Sequence, residues 1–323
     1  MQPHSDQHAT VRGSGGQISF IFPPGGFRFL SPCRKEQRDA CEQFENVHLF
    51  DIIYHPLVHF PMDNRAQTVY HRSTQSERND PMRLTVLGNN GPYPAPDGAC
   101  SGYFVTEGDT RLQLDLGCGT LSALTALTAP ETLTALVFSH WHYDHCSDVL
   151  PLTYRLADHL SRGGAPLDVY GPADAMSPIR AQLALCPGVK LHTLAPGDEV
   201  TMGSLTLTAW EARHPVPALM FRIRGKSGTL CYTGDTNTVP WLADFAREAD
   251  LLLADGLFTR ETWAEGKPHL SSSLAAEVAR DALARRLVIT HLNPNIDPAA
   301  LLRQAREIRI DAQLAVCGKT YTL

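Results

Sequence analysis

The sequence predicts an α/β protein whose two successive halves each run from strands into helices, so that each supplies a sheet with helices on its outer face. Three observations carry that expectation. From Arg83 onward, short apolar runs alternate with longer segments of helical period, bounded by Gly, Pro, Asn or Asp. Apolar residues make up 43% and charged residues 19% of the 323-residue chain, enough to bury a sizeable core. Polar residues suited to chemistry recur directly after the apolar runs, where a rigid scaffold presents its loops.

Residues 1–81 stand apart from that pattern. They mix His, Gln, Arg, Pro and Gly with short apolar pieces and show no sustained period. Six of the fourteen histidines fall here, at 4, 8, 48, 55, 59 and 71, without ligand-like spacing. A short helix over 34–44 has little apolar surface to fix it. The segment reads as a poorly ordered N-terminal extension. Met82 directly precedes the first convincing strand, which raises the hypothesis that the native chain starts there and that 1–81 lie outside it. The folded domain is then 82–323.

Within that domain, 84–87 is a strand and 88–100 a loop rich in Gly, Asn and Pro. Residues 102–106 and 111–116 read as paired strands about the turn 107–109. A Gly-containing turn at 117–120 leads into a helix at 121–127, and the apolar run 133–138 is a buried strand. A helix over 148–161 places Leu150, Leu152, Leu156 and Leu160 at apolar positions. There follow a strand at 167–170, a helix at 175–185, strands at 205–209, 218–223 and 229–232, and a helix at 240–247. The remainder alternates strand 250–254, helix 272–284, strand 287–290, helix 298–307 and a final strand pair.

The densest chemistry lies just past the run 133–138. Ser139-His140-Trp141-His142-Tyr143-Asp144-His145 reads H-x-H-x-D-H, three imidazoles and a carboxylate within six residues. Such donors suit a borderline divalent metal, whereas a packed core gains nothing from four of them together. One loop cannot complete a two-metal site, since each zinc takes about four ligands. Three later strand ends offer more: His214 after 205–209, Asp235 after 229–232 beside Gly234, and His291 after 287–290.

Composition narrows the classes of function. The net charge is −6, and residues 82–323 carry 20 Lys and Arg against 25 Asp and Glu, so no basic field draws the domain to nucleic acid or an anionic membrane. No apolar run approaches the roughly 20 residues needed to cross a bilayer. The first residues lack the basic-then-apolar order of a secretory signal, and the eight scattered cysteines form no C-x-x-C. Reduced thiols and a cytoplasmic location are the expectation.

Several separated motifs in one order resemble the metallo-β-lactamase superfamily, and within it the ribonuclease Z-like phosphodiesterase branch. They are Leu87-Gly88, Leu114-Asp115-Leu116-Gly117, the H-x-H-x-D-H loop, His214-Pro215-Val216-Pro217, Gly234-Asp235-Thr236 and Thr290-His291, spread from Met82 to the C-terminus. The resemblance implies a four-layer αβ/βα sandwich with two divalent ions at one edge, zinc foremost, with manganese or iron as alternatives. His140, His142 and His214 would hold one ion and Asp144, His145 and His291 the other, with Asp235 between them. Asp115 would support the loop from behind. Asp144 would also orient an attacking hydroxide shared by the ions. His269, in Pro268-His269-Leu270-Ser271, matches the branch's proton donor to the leaving oxygen. Asp255 stands where the branch usually carries the Glu that orients this His. A proton donor matters most for phosphodiesters, whose alkoxide leaves poorly, and His serves near pH 7. The expected activity is therefore cleavage of a small or cyclic nucleotide-like phosphodiester. Ribonuclease Z-type processing of transfer RNA, or hydrolysis of a carbon ester, lactone or thioester, are the alternatives. Ribonuclease Z inserts a long RNA-binding arm between the residues matching His214 and Asp235, but only 21 positions separate them here. Stable nucleic-acid binding is not expected, and a homodimer is the assembly the resemblance suggests.

Around the site, loops 89–100 and 257–267 read as pocket rims, with Arg260 and Lys267 as cations within reach of a phosphate. Cys118 and Cys146 read as buried thiols, and Trp141 and Tyr143 as packing or pocket wall.

Overall fold

In a computed structural model, the structure describes residues 7–13, 16–22 and 80–323. The chain divides into two compact units, 1–70 and 71–323. In the first, β1 (Gln7–Gly13) and β2 (Gly16–Phe22) pair antiparallel, with Gly13 opposite Gly16. The other expectations for 1–79, including the helix at 34–44, fall outside the described residues.

The second unit begins with β3 (Arg83–Gly88), β4 (Gly102–Glu107) and β5 (Thr110–Leu114). Next come α1 (Thr120–Leu127), β6 (Ala135–Val137), the single turn α2 (Tyr143–Cys146), α3 (Val149–Ser161), β7 (Leu167–Pro172) and α4 (Pro178–Leu183). Five strands follow without a helix until the fifth: β8 (Val189–Leu194), β9 (Glu199–Met202), β10 (Leu205–Glu211), β11 (Leu219–Arg224) and β12 (Thr229–Tyr232). The chain closes with α5 (Leu242–Ala246), β13 (Leu251–Asp255), α6 (Ser272–Asp281), β14 (Leu287–Thr290), α7 (Pro298–Arg306), β15 (Gln313–Leu314) and β16 (Thr320–Thr322).

Two seven-stranded sheets result, ordered β16-β3-β4-β5-β6-β7-β8 and β15-β14-β13-β12-β11-β10-β9. Each is antiparallel in one part and parallel in the other, the parallel ladders being β5 to β8 and β12 to β15. Period-two burial explains the layering. Leu251 and Leu253 of β13 join Leu84, Val105, Leu112 and Phe221 in the core between the sheets, while Leu252 and Ala254 face α5, α6 and α7. With both faces covered, the strand reads as the unbroken apolar run LLLA. Small Ala275, Ala276 and Ala279 let α6 approach the sheet closely. On the other side, Leu124, Leu152, Leu156 and Leu183 cover Leu136, Phe138 and Val169. The layers are helix, sheet, sheet, helix: the four-layer αβ/βα sandwich expected.

Two features of the sheets differ from the sequence reading. β8 and β9 were not anticipated, because as edge strands they are only half-buried and lack a clear apolar face. The last two strands are not a pair: β15 lies parallel to β14, whereas β16 crosses to the other sheet and pairs antiparallel with β3, Tyr321 opposite Leu84. The turn at Gly318, with φ 81°, sends the chain across. Met82 is locked into this unit, its N–H donating to Ser227 Oγ at 2.6 Å and its carbonyl accepting from Leu323 at 2.8 Å. No helix among the described residues is long and apolar enough to cross a membrane.

Candidate metal centre

The ends of β5, β6, β12, β13 and β14 open on one edge of the sandwich, where open α/β sheets present their sites. Every metal-ligand candidate from the sequence arrives there. His140, His142, His214 and Asp235 form one group, and Asp144, His145, Asp235 and His291 a second. In each, the nearest donor atoms lie within 4.8 Å of one another. Asp235 belongs to both, its Oδ2 3.6 Å from His140 Nε2 and its Oδ1 3.1 Å from His145 Nε2.

The imidazoles are oriented from behind. Asp115 Oδ2 accepts His145 Nδ1–H at 2.8 Å, Ser139 Oγ–H at 2.8 Å and Tyr232 Oη–H at 2.6 Å, and Oδ1 accepts the Ser139 amide at 2.7 Å. With its proton given to Asp115, the Ser139 hydroxyl accepts from His140 Nδ1–H at 3.1 Å. His214 Nδ1–H donates to the Pro268 carbonyl at 3.2 Å, and His291 Nδ1 meets Ser101 Oγ at 3.3 Å. A neutral imidazole carries one proton, so these bonds turn the lone pairs of His140, His145 and His214 inward at Nε2. His140 Nε2 and His214 Nε2 each lie 3.0 Å from His142 Nδ1.

That convergence supports a cation. Asp144 Oδ2, His145 Nε2, Asp235 Oδ1 and His291 Nε2 are buried atoms without a hydrogen-bond partner among the described residues. A fold leaves so many buried polar atoms unsatisfied only at considerable cost. A divalent ion in each group would satisfy them, so the residues fit two ions. Burial drives His140, His142 and His291 below the ordinary imidazole range, and His214 down to about 4, favouring the neutral, ligating form. His145 goes the other way: Asp235, Asp144 and Asp115 outweigh its burial and raise it.

Backbone geometry holds the arrangement in place. Asp115 and His291 both sit at positive φ, 51° and 57°, a strained state for residues with a side chain. The His291 ring packs against Gly91, where an added Cβ would come within 2.0 Å of it.

His269 flanks the second group. Its ring stacks on His291 with centroids 4.9 Å apart, and its Nδ1–H donates to Asp255 Oδ2 at 2.8 Å. The shorter Asp side chain therefore makes the pairing, helped by Gly256, which lets β13 turn tightly against Ile289. Asp255 is fully buried and also accepts the amides of Thr236 and Leu257. Burial disfavours a charged His269, but Asp255 and then Asp235 overcome it and push the imidazole up to about 9. Ser271 caps α6, accepting from the Leu274 amide at 3.2 Å.

Other expectations sort themselves out around this core. Loop 89–100 is tied to the site through Gly91 and Leu292, and loop 257–267 through Asn237, whose Nδ2 donates to Ala264, Glu265 and Lys267 carbonyls. Arg260 is held by Glu307 at 2.9 Å, and Lys267 sits over the Phe258 ring at 4.5 Å. Trp141 is core, packed on Phe138, while Tyr143 is exposed. Cys146 is buried, its S–H reaching the His142 carbonyl, but Cys118 is exposed, because it lies on the outer turn that enters α1. Sequence reasoning passed over Ser139, Tyr232, Ser101 and Gly91, which touch the ligand candidates or Asp115, and Asn237, which holds loop 257–267. Tyr232 offered the one signal, a polar-tipped aromatic three residues before Asp235.

Comparison with known proteins decides the family. The Beta-lactamase superfamily domain model matches residues 115–292, more than half of the chain. The protein belongs to the metallo-β-lactamase superfamily. It is 33% identical over 213 residues to the probable metallo-hydrolase YhfI of Bacillus subtilis, covering 65% of this chain and 87% of that one. The crystal structure of the YhfI metallo-β-lactamase fold protein superposes with a TM-score of 0.70 at 31% identity, over 75% of this chain and 99% of that one. A ribonuclease Z of Methanopyrus kandleri is 28% identical over 260 residues, 70% of this chain and 92% of its own. A diphosphatase from the PhnP family shares the fold, with a TM-score of 0.61 at 19% identity, 75% of this chain and 97% of that one. As a member of the metallo-β-lactamase superfamily, with relatives named as hydrolases, the chain is a metallo-hydrolase.

Proposed function

We propose that the protein is a binuclear metal-dependent phosphodiesterase acting on a small or cyclic nucleotide-like phosphodiester. The observation that carries this reading is the buried His269–Asp255 pair stacked on His291 at the rim of the two ligand groups. His140, His142 and His214 would hold one ion and Asp144, His145 and His291 the other, with Asp235 shared. When bound, two divalent ions would neutralise charge on phosphoryl oxygens and make water a nucleophile at neutral pH. Zinc is the favoured ion, with manganese and iron compatible with the same nitrogen and oxygen donors. Asp144 would accept a hydrogen bond from the attacking water and orient it. Asp255 accepts the Nδ1–H of His269 and favours its imidazolium form, so that Nε2–H would deliver a proton to the departing alkoxide. Hydrolysis of a carbon ester or lactone has less use for such a donor.

The relation to ribonuclease Z favours a second reading, transfer-RNA 3′ processing. Against it, the stretch from His214 to Asp235 is filled by β11 and β12 with their turns, and residues 82–323 are net acidic. The test is hydrolysis of phosphodiesters by metal-loaded protein. His269→Ala is expected to lose about 100-fold or more on an alkyl-leaving phosphodiester such as a cyclic nucleotide, and far less on an activated carboxyl ester. Ester or lactone turnover without any phosphodiester turnover would overturn the proposal.

A further inference from the structure

Beside the His142 ring, the surface forms a cleft of about 270 Å³ whose walls include Tyr143, Asp174, Met176, Pro178 and Val216, with neither His269 nor Asp255 among its lining. Its size is just below that of typical ligand sites, which run roughly 300–1,000 Å³, and suits one part of a ligand. Two large side chains stand in the open here: Tyr143 is 64% and Met176 89% exposed. Neither belongs to the hydrophobic core clusters, although Tyr143 sits between two ligand candidates in α2. Apolar surface kept exposed and continuous with a chemical centre marks a binding surface more often than it serves the fold.

The chemistry of the walls selects the occupant. No Lys or Arg lines the cleft, so nothing there receives a second phosphate. An aromatic ring and a thioether suit a flat π-face, with Met able to adapt its shape to it. Asp174 accepts the Met176 amide on Oδ1 at 2.9 Å, and its carboxylate offers a further acceptor to ring N–H or amino groups. We propose that this cleft is a nucleobase subsite, holding the heterocycle of a substrate whose phosphodiester lies over the His142 side of the centre. The inference rests on the phosphodiesterase reading and adds to it the place where the base of a nucleotide-like substrate is held.

The experiment compares two esters with the same leaving group, thymidine 5′-(p-nitrophenyl) phosphate and methyl p-nitrophenyl phosphate, on metal-loaded full-length protein. Tyr143→Ala combined with Met176→Ala should lower the ratio of kcat/KM for the thymidine ester to that for the methyl ester about tenfold, the modest end of what loss of a base stack costs. Met176→Ala alone, remote in sequence from the ligand loop, should move the ratio the same way, chiefly through KM. Tyr143→Phe with Met176→Leu keeps the apolar walls and should restore the ratio to within about twofold of wild type. A ratio unchanged by the alanine variants overturns the subsite while leaving the phosphodiesterase reading intact. Cleavage of neither ester by the wild type overturns that reading, and the subsite with it.

Discussion

Replacing Asp255 with Asn should move the alkaline limb of the pH–rate profile to lower pH. Asp255 is the first of the two carboxylates that lift His269 to about 9 against its burial, and it does so across 2.8 Å. Asn removes the charge but keeps the shape. Without the charge, Asp235 alone opposes the burial and His269 falls towards the ordinary imidazole value of about 6.5. A group required in its protonated form is lost as pH rises through its pKa, so a lower pKa brings the loss on earlier. At pH 8 an acid with pKa 9 is about 90% protonated and one with pKa 6.5 about 3%, roughly a 30-fold difference in active enzyme. Two bound cations would lower both values through the same field, so the expectation concerns the displacement between variants. The substitution leaves one buried donor facing the new amide, a cost of about 1–3 kcal/mol that a fold of ordinary stability survives. The assay is kcat/KM for an alkyl-leaving phosphodiester from pH 6 to 9.5 in wild type and variant. Superimposable alkaline limbs would refute the proposed role of the His269–Asp255 pair.

Two further substitutions probe the supports of the centre. Tyr232→Phe removes a buried donor to the Asp115 carboxylate, which keeps three other donors, so chemical denaturation should report a loss of about 1.5–3 kcal/mol with two metal equivalents still bound; an unchanged midpoint would contradict the geometry. Gly91→Ala places a methyl group within 2.0 Å of the His291 ring and should weaken one metal equivalent about tenfold or more in a chelator competition, sparing the one held by His140, His142 and His214. Equal weakening of both equivalents, or of neither, would argue against the division of ligands.

The sequence by itself determined most of what is local or tied to spacing. The H-x-H-x-D-H loop and the strand-end positions of His214, Asp235 and His291 are read from neighbours along the chain, because turns and apolar periods are set by residues a few positions apart. Its alternation of apolar runs and helical segments also carried the layered architecture. Only the tertiary structure decided what depends on contacts across the sheets. The resemblance placed Asp115 behind the loop, but its partners, His145 and Ser139 and, from the opposite sheet, Tyr232, meet across up to 117 positions that no local pattern encodes. The crossing of β16 to β3 likewise follows from which edge lay open. The reach of Asp255 to His269 depended on how closely β13 and the start of α6 approach, a matter of tenths of an ångström set by packing. Direct sequence motifs named the ligand candidates, while packing across the sandwich supplied the bonds that aim them.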